Sequence, residues 1–135
     1  MKELTLEAVT ESIPKLTAFI DEELEAHDCG MKAQLQIDVA VDELFSNISF
    51  YAYAPGTGEA TVQVDVDDDA RLASITFIDR GEPFDPLARP DTDVKSRVRE
   101  GEIGGLGIYL VRKTMDAVEY RREDGCNILT IRKTI

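Results

Sequence analysis

Thr61-Val62-Gln63-Val64-Asp65-Val66-Asp67, then Asp68-Asp69-Ala70, then Arg71-Leu72-Ala73-Ser74-Ile75-Thr76-Phe77-Ile78 is the stretch from which the fold is read. Successive side chains of a strand point to opposite faces. Val62, Val64 and Val66 therefore share one face, and Thr61, Gln63, Asp65 and Asp67 the other. Asp68-Asp69-Ala70 is a turn, and Arg71 to Ile78 returns as a more buried strand. The pair reads as an antiparallel hairpin.

Outward from the hairpin, the same alternation recurs in Lys2–Leu6, which suits an edge strand, and in Val118–Arg122 and Ile128–Lys133, separated by a turn at Asp124-Gly125. Helical spacing fills the rest. Ser12 before Ile13-Pro14 is a helix start, and Ile13, Leu16, Ile20 and Leu24 make one apolar face. His27-Asp28-Cys29-Gly30 ends that helix, with Gly30 suited to a left-handed exit. A second helix is expected from about Met31 to Tyr53, with Leu35, Val39, Leu44, Ile48 and Ala52 as its apolar stripe, stopped by Ala54–Gly58. Leu106–Met115 reads as a third. Helices in blocks and strands in hairpins imply a two-layer α/β sandwich, a mostly antiparallel sheet covered by helices on one face. The 135 residues are expected to form a single domain. Arg80–Gly104 is rich in proline, glycine and charge without periodicity; so long a loop is usually functional. It predicts a lid at about residues 86–104.

The formal charge is −12 and 43% of the residues are apolar. So acidic a surface repels nucleic acid and anionic lipid, while a single nucleotide can still be held by local cations, a metal ion or backbone N–H groups. Cys29 and Cys126 form no C-x-x-C pair and read as reduced cytosolic thiols. No apolar run approaches the roughly 20 residues of a membrane span. The expected location is cytoplasmic.

Three segments can carry chemistry. Glu43 and Asn47 stand four apart on the second predicted helix and project from one face. An amide oxygen can ligate Mg2+, and a carboxylate can accept a proton; two solvated neighbours would look the same. Asp79-Arg80-Gly81-Glu82-Pro83-Phe84-Asp85 follows a strand directly. Asp79 can accept a hydrogen bond from an amino group, and Gly81 lets a ring approach the backbone; an ordinary turn has the same composition. Gly101 to Gly107 opens a helix, where exposed N–H groups and the helix dipole suit phosphate; a flexible hinge is the plain reading. Neither a P-loop nor a dinucleotide fingerprint is present. Asp65, Asp67 and Asp69 fail the calcium-loop pattern at Ala70 and Thr76. His27, the only histidine, has no partner at zinc-ligand spacing.

Together, in this order and spacing, the three segments resemble the GHKL ATPase superfamily, and within it the bacterial anti-sigma factor serine kinases. Ala40-Val41-Asp42-Glu43-Leu44-Phe45-Ser46-Asn47 with Ala52-Tyr53 is similar to the first box. Asp79 to Pro86 is similar to the second, with Pro-Phe in place of a later glycine. Gly104-Gly105-Leu106-Gly107-Ile108-Tyr109-Leu110-Val111, followed by Met115-Asp116, resembles the third. The resemblance covers nearly the whole chain.

It implies an ATP site in which Asn47 ligates Mg2+ and Asp79 bonds the adenine amine, with Gly81 and Phe84 beside it. Gly104, Gly105, Leu106 and Gly107 close on the phosphates, Thr130 helps hold adenine through water, and Glu43 is the catalytic base. It also implies a homodimer that binds a sigma factor and phosphorylates a serine on an anti-anti-sigma antagonist; the charge and the lack of a long apolar run predict no direct contact to nucleic acid or membrane. One departure stands out. Where such proteins often carry His or Lys, four residues after the asparagine, this chain has Tyr51. Lys95, Arg97 and Arg99 on the predicted lid are the cations that could substitute. A nucleotide-gated binding module with little catalysis is the alternative that Tyr51 motivates. A histidine-kinase catalytic domain and a gyrase-type ATPase fit less well, because the one needs a phosphoaccepting histidine on a helical hairpin and the other a transducer domain.

Overall fold

A computed structural model describes residues 1–87 and 106–135. Five strands, β1 (Lys2–Glu7), β2 (Glu59–Asp67), β3 (Leu72–Asp79), β4 (Ala117–Glu123) and β5 (Cys126–Thr134), form one sheet in the order β1-β2-β3-β5-β4. Every pairing is antiparallel. Three helices, α1 (Ile13–Ala26), α2 (Met31–Asn47) and α3 (Leu106–Thr114), lie on one face, with α2 packed against both of the others. The two-layer α/β sandwich expected from the sequence is the fold observed.

Strand alternation sets the core. Val62 and Val64 of β2, Ala73, Ile75 and Phe77 of β3, and Leu129 and Ile131 of β5 are buried under the helices. Leu16, Ile20 and Leu24 of α1 meet them with no exposed surface. Each such side chain contributes roughly 1.5–3 kcal/mol of burial. At the β4–β5 hairpin, Asp124 and Gly125 both take positive φ (51° and 77°), the two-residue turn whose twist matches the strands.

Three local expectations are corrected. The left-handed exit from α1 is at Asp28 (φ 55°), while Gly30 is extended (φ −65°, ψ 148°) and precedes α2. The reason lies in hydrogen bonding. Cys29 N–H reaches Leu24 O at 3.0 Å and Asp28 N–H reaches Glu25 O at 3.1 Å, a closing pattern that requires the left-handed residue two places before Gly30. Arg71, on the β2–β3 connection, donates to the His27 and Asp28 carbonyls and seals this helix end.

Leu35 and Val39 are not core residues. They are 64% and 45% exposed, and Met31, one turn before them, is 87% exposed. The buried side of α2 is Ile37, Ala40, Val41, Leu44 and Phe45, so the expected stripe was rotated from the true one along its first half. The second helix also changes pitch: after Asn47 it continues as a π-helical turn, Ile48–Ala52. Ser49 Oγ donates at 2.9 Å to Phe45 O, the carbonyl that the next α-turn would use.

Between α1 and α2, the buried Oδ1 atoms of Asp21 and Asp38 have no donor among the described residues. Burial, followed by a hydrogen bond to Asp21 and the charges of Asp21 and Glu25, pushes the Asp38 carboxyl up to about 7. The folded chain thus holds a proton that the unfolded chain releases near pH 4. Stability is lost as pH rises from about 4 through 7 and is level above. His27, held by Asp68 and Glu23, is also raised, which adds stability on the acid side that is lost as pH rises through its folded value. Asp38→Asn should raise the Tm at pH 8 by roughly 3–5 °C, the shift that about 1 kcal/mol gives at this size, and leave the Tm at pH 5 nearly unchanged. Equal shifts at both pH values in thermal melts would contradict a raised Asp38 carboxyl.

Candidate functional site

Asp79, the last residue of β3, follows Ala73, Ile75 and Phe77 on the helix-facing side and is only 5% exposed. A buried carboxylate is costly unless it is hydrogen-bonded. Its Oδ1 accepts from Gly81 N–H and from Asn127 Nδ2, both at 2.9 Å. Among the described residues both bonds fall on Oδ1, which leaves Oδ2 for a ligand.

Asn127 is the cross-strand partner of Asp79 and the other buried polar side chain among the described residues. Its Nδ2 also donates to Glu82 O at 2.8 Å, and its Oδ1 accepts from Tyr120 OH at 2.5 Å and Phe84 N–H at 3.3 Å. All four positions of the amide are used. Turning the amide over would set its oxygen against two acceptors, so the network fixes its orientation.

The turn after Asp79 is pressed onto the end of the π-helical turn. Glu82 N–H donates to Ala52 O at 2.8 Å, and a Cβ on Gly81 would lie 2.1 Å from that oxygen. Glycine at 81 is thus required by the chain's own backbone. Arg122 Nη1 clips the turn from β4 by bonding Gly81 O at 2.7 Å. Tyr53 supports it from below, accepting from Arg80 N–H at 2.8 Å and donating to Glu59 O at 2.6 Å.

Asn47 of α2 shares a narrow cleft with Asp79, Phe84, Tyr120 and Asn127, floored by Phe77 and Leu129. Its free volume is about 20 Å³, room for about one water. Four residues before Asn47, Glu43 lies against α3: a Cβ on Gly107 would be 1.8 Å from Glu43 Oε2 and 2.4 Å from its Cδ. The carboxylate therefore rests on the first turn of α3, the positive end of that helix. Tyr51 stacks on Phe84, with ring centres 5.6 Å apart and planes at 29°, so an aromatic ring backs one lining residue of the cleft from the position where a cation is often found.

The structure brings Asn47, Asp79 and Phe84 to one cleft, sets Gly81 beside it, and joins Glu43 to Gly107. Leu106 opens α3. Gly104 and Gly105, the cations Lys95, Arg97 and Arg99, and all of the predicted lid except residues 86–87 lie outside the described residues. Thr130 is a correction. Alternation turns it to the uncovered face of the sheet, where its Oγ1 is 3.1 Å from Thr76 Oγ1. There it lines a broad hollow of about 430 Å³ that includes neither Asp79 nor Asn47. The β5 residue that reaches Asp79 is Asn127, three places earlier. Sequence reading missed it, although a signal was present: Asn127, Leu129 and Ile131 share one face, and the asparagine is the polar member of an apolar row.

A family model for the histidine kinase-like ATPase domain matches residues 6–133. The serine/threonine-protein kinase BtrW of Bordetella bronchiseptica is 28% identical over 100 residues, covering 74% of this chain and 70% of that protein. Among solved structures, a chain of the SiaB–SiaC complex from Pseudomonas aeruginosa has a TM-score of 0.63 at 17% identity, over 98% of this chain and 88% of that one. The histidine kinase AdeS of Acinetobacter baumannii has a TM-score of 0.55 at 13% identity, over 99% and 68%. These structural likenesses establish the fold. The family match leaves only a few residues at either end outside it, and the protein belongs to the histidine kinase-like ATPase domain family.

Proposed function

We propose that the protein binds ATP with Mg2+ in the Asp79–Asn47 cleft and transfers the γ-phosphoryl group to a serine or threonine of a protein antagonist, as an anti-sigma regulatory kinase. The observation that carries this reading is a buried carboxylate, one oxygen of which has no donor among the described residues, at one end of a cleft whose helix wall leads, in steps of four, to Asn47 and then Glu43. Asp79 Oδ2 is an acceptor suited to the adenine amine. The cleft is far below the usual 300 Å³ or more of a ligand pocket, so the wall at Phe84 and Pro86 has to move aside for a ring. The described residues contain no cluster of three or more His, Cys, Asp or Glu side chains that could hold a metal. This fits Mg2+, which commonly arrives with substrate phosphates and takes few protein ligands. Asn47 would give it an oxygen, and the ion would neutralise charge developing on the phosphates.

In the transfer itself, the acceptor hydroxyl oxygen bonds to the γ-phosphorus. The bond from that phosphorus to the β–γ bridging oxygen breaks, and ADP leaves. Glu43, held on the first turn of α3, takes the hydroxyl proton. The likeness to BtrW supports a protein substrate. So does the surface beside Glu43: Met31, Leu35 and Val39 form an exposed apolar row on α2 that reaches Glu43 in the same four-residue steps. A sigma factor as second partner, pairing of two copies, one domain over residues 1–135 and a lid at about 86–104 belong to the same proposal.

The alternative is a nucleotide-gated binding module, favoured by Tyr51, which fills the cationic position with an aromatic stack. Calorimetric titration with Mg2+–ATP and transfer of labelled phosphate to a cognate antagonist separate the two. Asp79→Ala should weaken ATP by roughly 5- to 150-fold, the loss of about 1–3 kcal/mol from an unpaired buried group. Unchanged affinity would remove Asp79 from the site. Gly107→Ala displaces the Glu43 carboxylate and should cut transfer at saturating Mg2+–ATP at least ~10-fold, a fraction of what a general base supplies. Tight ATP binding by wild type with no transfer to the antagonist would favour the binding module.

A further inference from the structure

The segment Glu82–Phe84 and the Asp79 carboxylate are tied to a single side chain, Asn127. Asn127 belongs to β5, and Tyr120, which holds its oxygen, belongs to β4. Through them the edge strand reaches the site from the side opposite α2. Arg122, two residues along β4 from Tyr120, repeats the arrangement on Gly81 O.

We propose that Asn127 is a positioning residue for base selection: with Tyr120 holding its oxygen, its Nδ2 fixes Asp79 Oδ1 so that Oδ2 faces the cleft as an acceptor and admits a 6-amino purine over a 6-oxo purine. The inference rests on the reading of the cleft as an ATP site. Its geometry is particular. Asp79 Oδ1 already takes two donors, so the carboxylate cannot turn about its own axis without breaking both. Asn127 in turn cannot rotate, because each of its four hydrogen-bonding positions is engaged. Without Nδ2, Gly81 N–H would be the one remaining donor to Asp79 among the described residues, and the plane of the carboxylate would be free to swing. An amine on the purine would then lose a fixed acceptor, and a carbonyl on the purine would no longer meet a fixed repulsion. Asn127 sits at the base end of the cleft, beside Asp79, so its loss acts on affinity and selectivity and not on the transfer step at Glu43.

The test compares ATP with inosine triphosphate, which differs from it by oxygen in place of the 6-amino group. Wild type should prefer ATP. Asn127→Ala should lower ATP affinity about tenfold and bring the ratio of the two affinities close to one, raising KM for ATP while kcat at saturation stays within twofold. Tyr120→Phe should move the ratio the same way by a smaller factor. A folded Asn127→Ala chain that keeps both the affinity and the ratio overturns the proposal.

Should that variant fail to fold, Asn127→Asp decides. Its new oxygen would face Asp79 Oδ1 and Glu82 O, two acceptors, so it must hold a proton to bind; Tyr120 and the Arg122 guanidinium are the other titratable or charged groups around it. ATP affinity of Asn127→Asp should rise severalfold as pH falls from 8 to 6, relative to wild type, and a flat profile overturns the proposal. A wild-type chain that binds ATP no better than inosine triphosphate overturns the reading of Asp79 on which it rests, and a difference between wild type and variant cannot then arise.

Discussion

A carboxylate buried at the end of a sheet has to be supplied with donors, and at Asp79 that requirement organises one whole end of the molecule. The donors come from Gly81, which forces the chain into a tight turn, and from Asn127, which forces polarity into the apolar face of β5. The turn can be tight only if it lies on the Ala52 carbonyl, and there is no room for a Cβ at 81. Arg122 and Tyr53 then hold the turn directly, and Tyr120 holds the Asn127 that bonds it. Among the described residues only one oxygen of this buried carboxylate has donors, and the hydrogen-bonding capacity left on the other is the physical reason to read it as a binding group.

The other wall is α2, which serves three purposes with a buried side and one long row of four-residue steps. Ile37, Val41, Leu44 and Phe45 bury against the sheet. Glu43 and Asn47 point along the ridge toward α3 and the cleft. Met31, Leu35 and Val39 remain on the surface. The widened turn after Asn47 ends this helix where Ala52 must receive Glu82. The site and the fold thus share their supports, and a change at Gly81 or Ala52 would act on both.

The sheet was legible because strand alternation is a strict period of two: β2 and β3 pair across the turn that the sequence marks. Helix ends and helix faces were less legible. Gly30 looked like the exit residue because glycine tolerates positive φ most readily, yet the hydrogen bonds from Cys29 and Asp28 put that conformation on Asp28. Leu35 and Val39 looked buried because they are apolar, but apolar residues are common on surfaces. At the site, Glu43, Asn47, Asp79 and Gly107 could be found from local motifs. Asn127 stands out locally only as the polar member of an apolar row, and its bond to Asp79 depends on register across two strands 48 residues apart. Thr130 is a site residue by resemblance only, and alternation within β5 excludes it from the Asp79 face.

The central claim is that one face of one end of the sheet, and not the roomier hollow on the uncovered face, receives the nucleotide. Amide NMR of the labelled protein, titrated with Mg2+–ATP, tests this most directly. The account predicts that the largest shifts fall on Asn47, Asp79 to Phe84, Gly107 and Asn127, with Thr76, Thr130 and Arg132 little changed. Shifts concentrated at Thr76, Thr130 and Arg132, with Asp79 and Asn127 still, would contradict it.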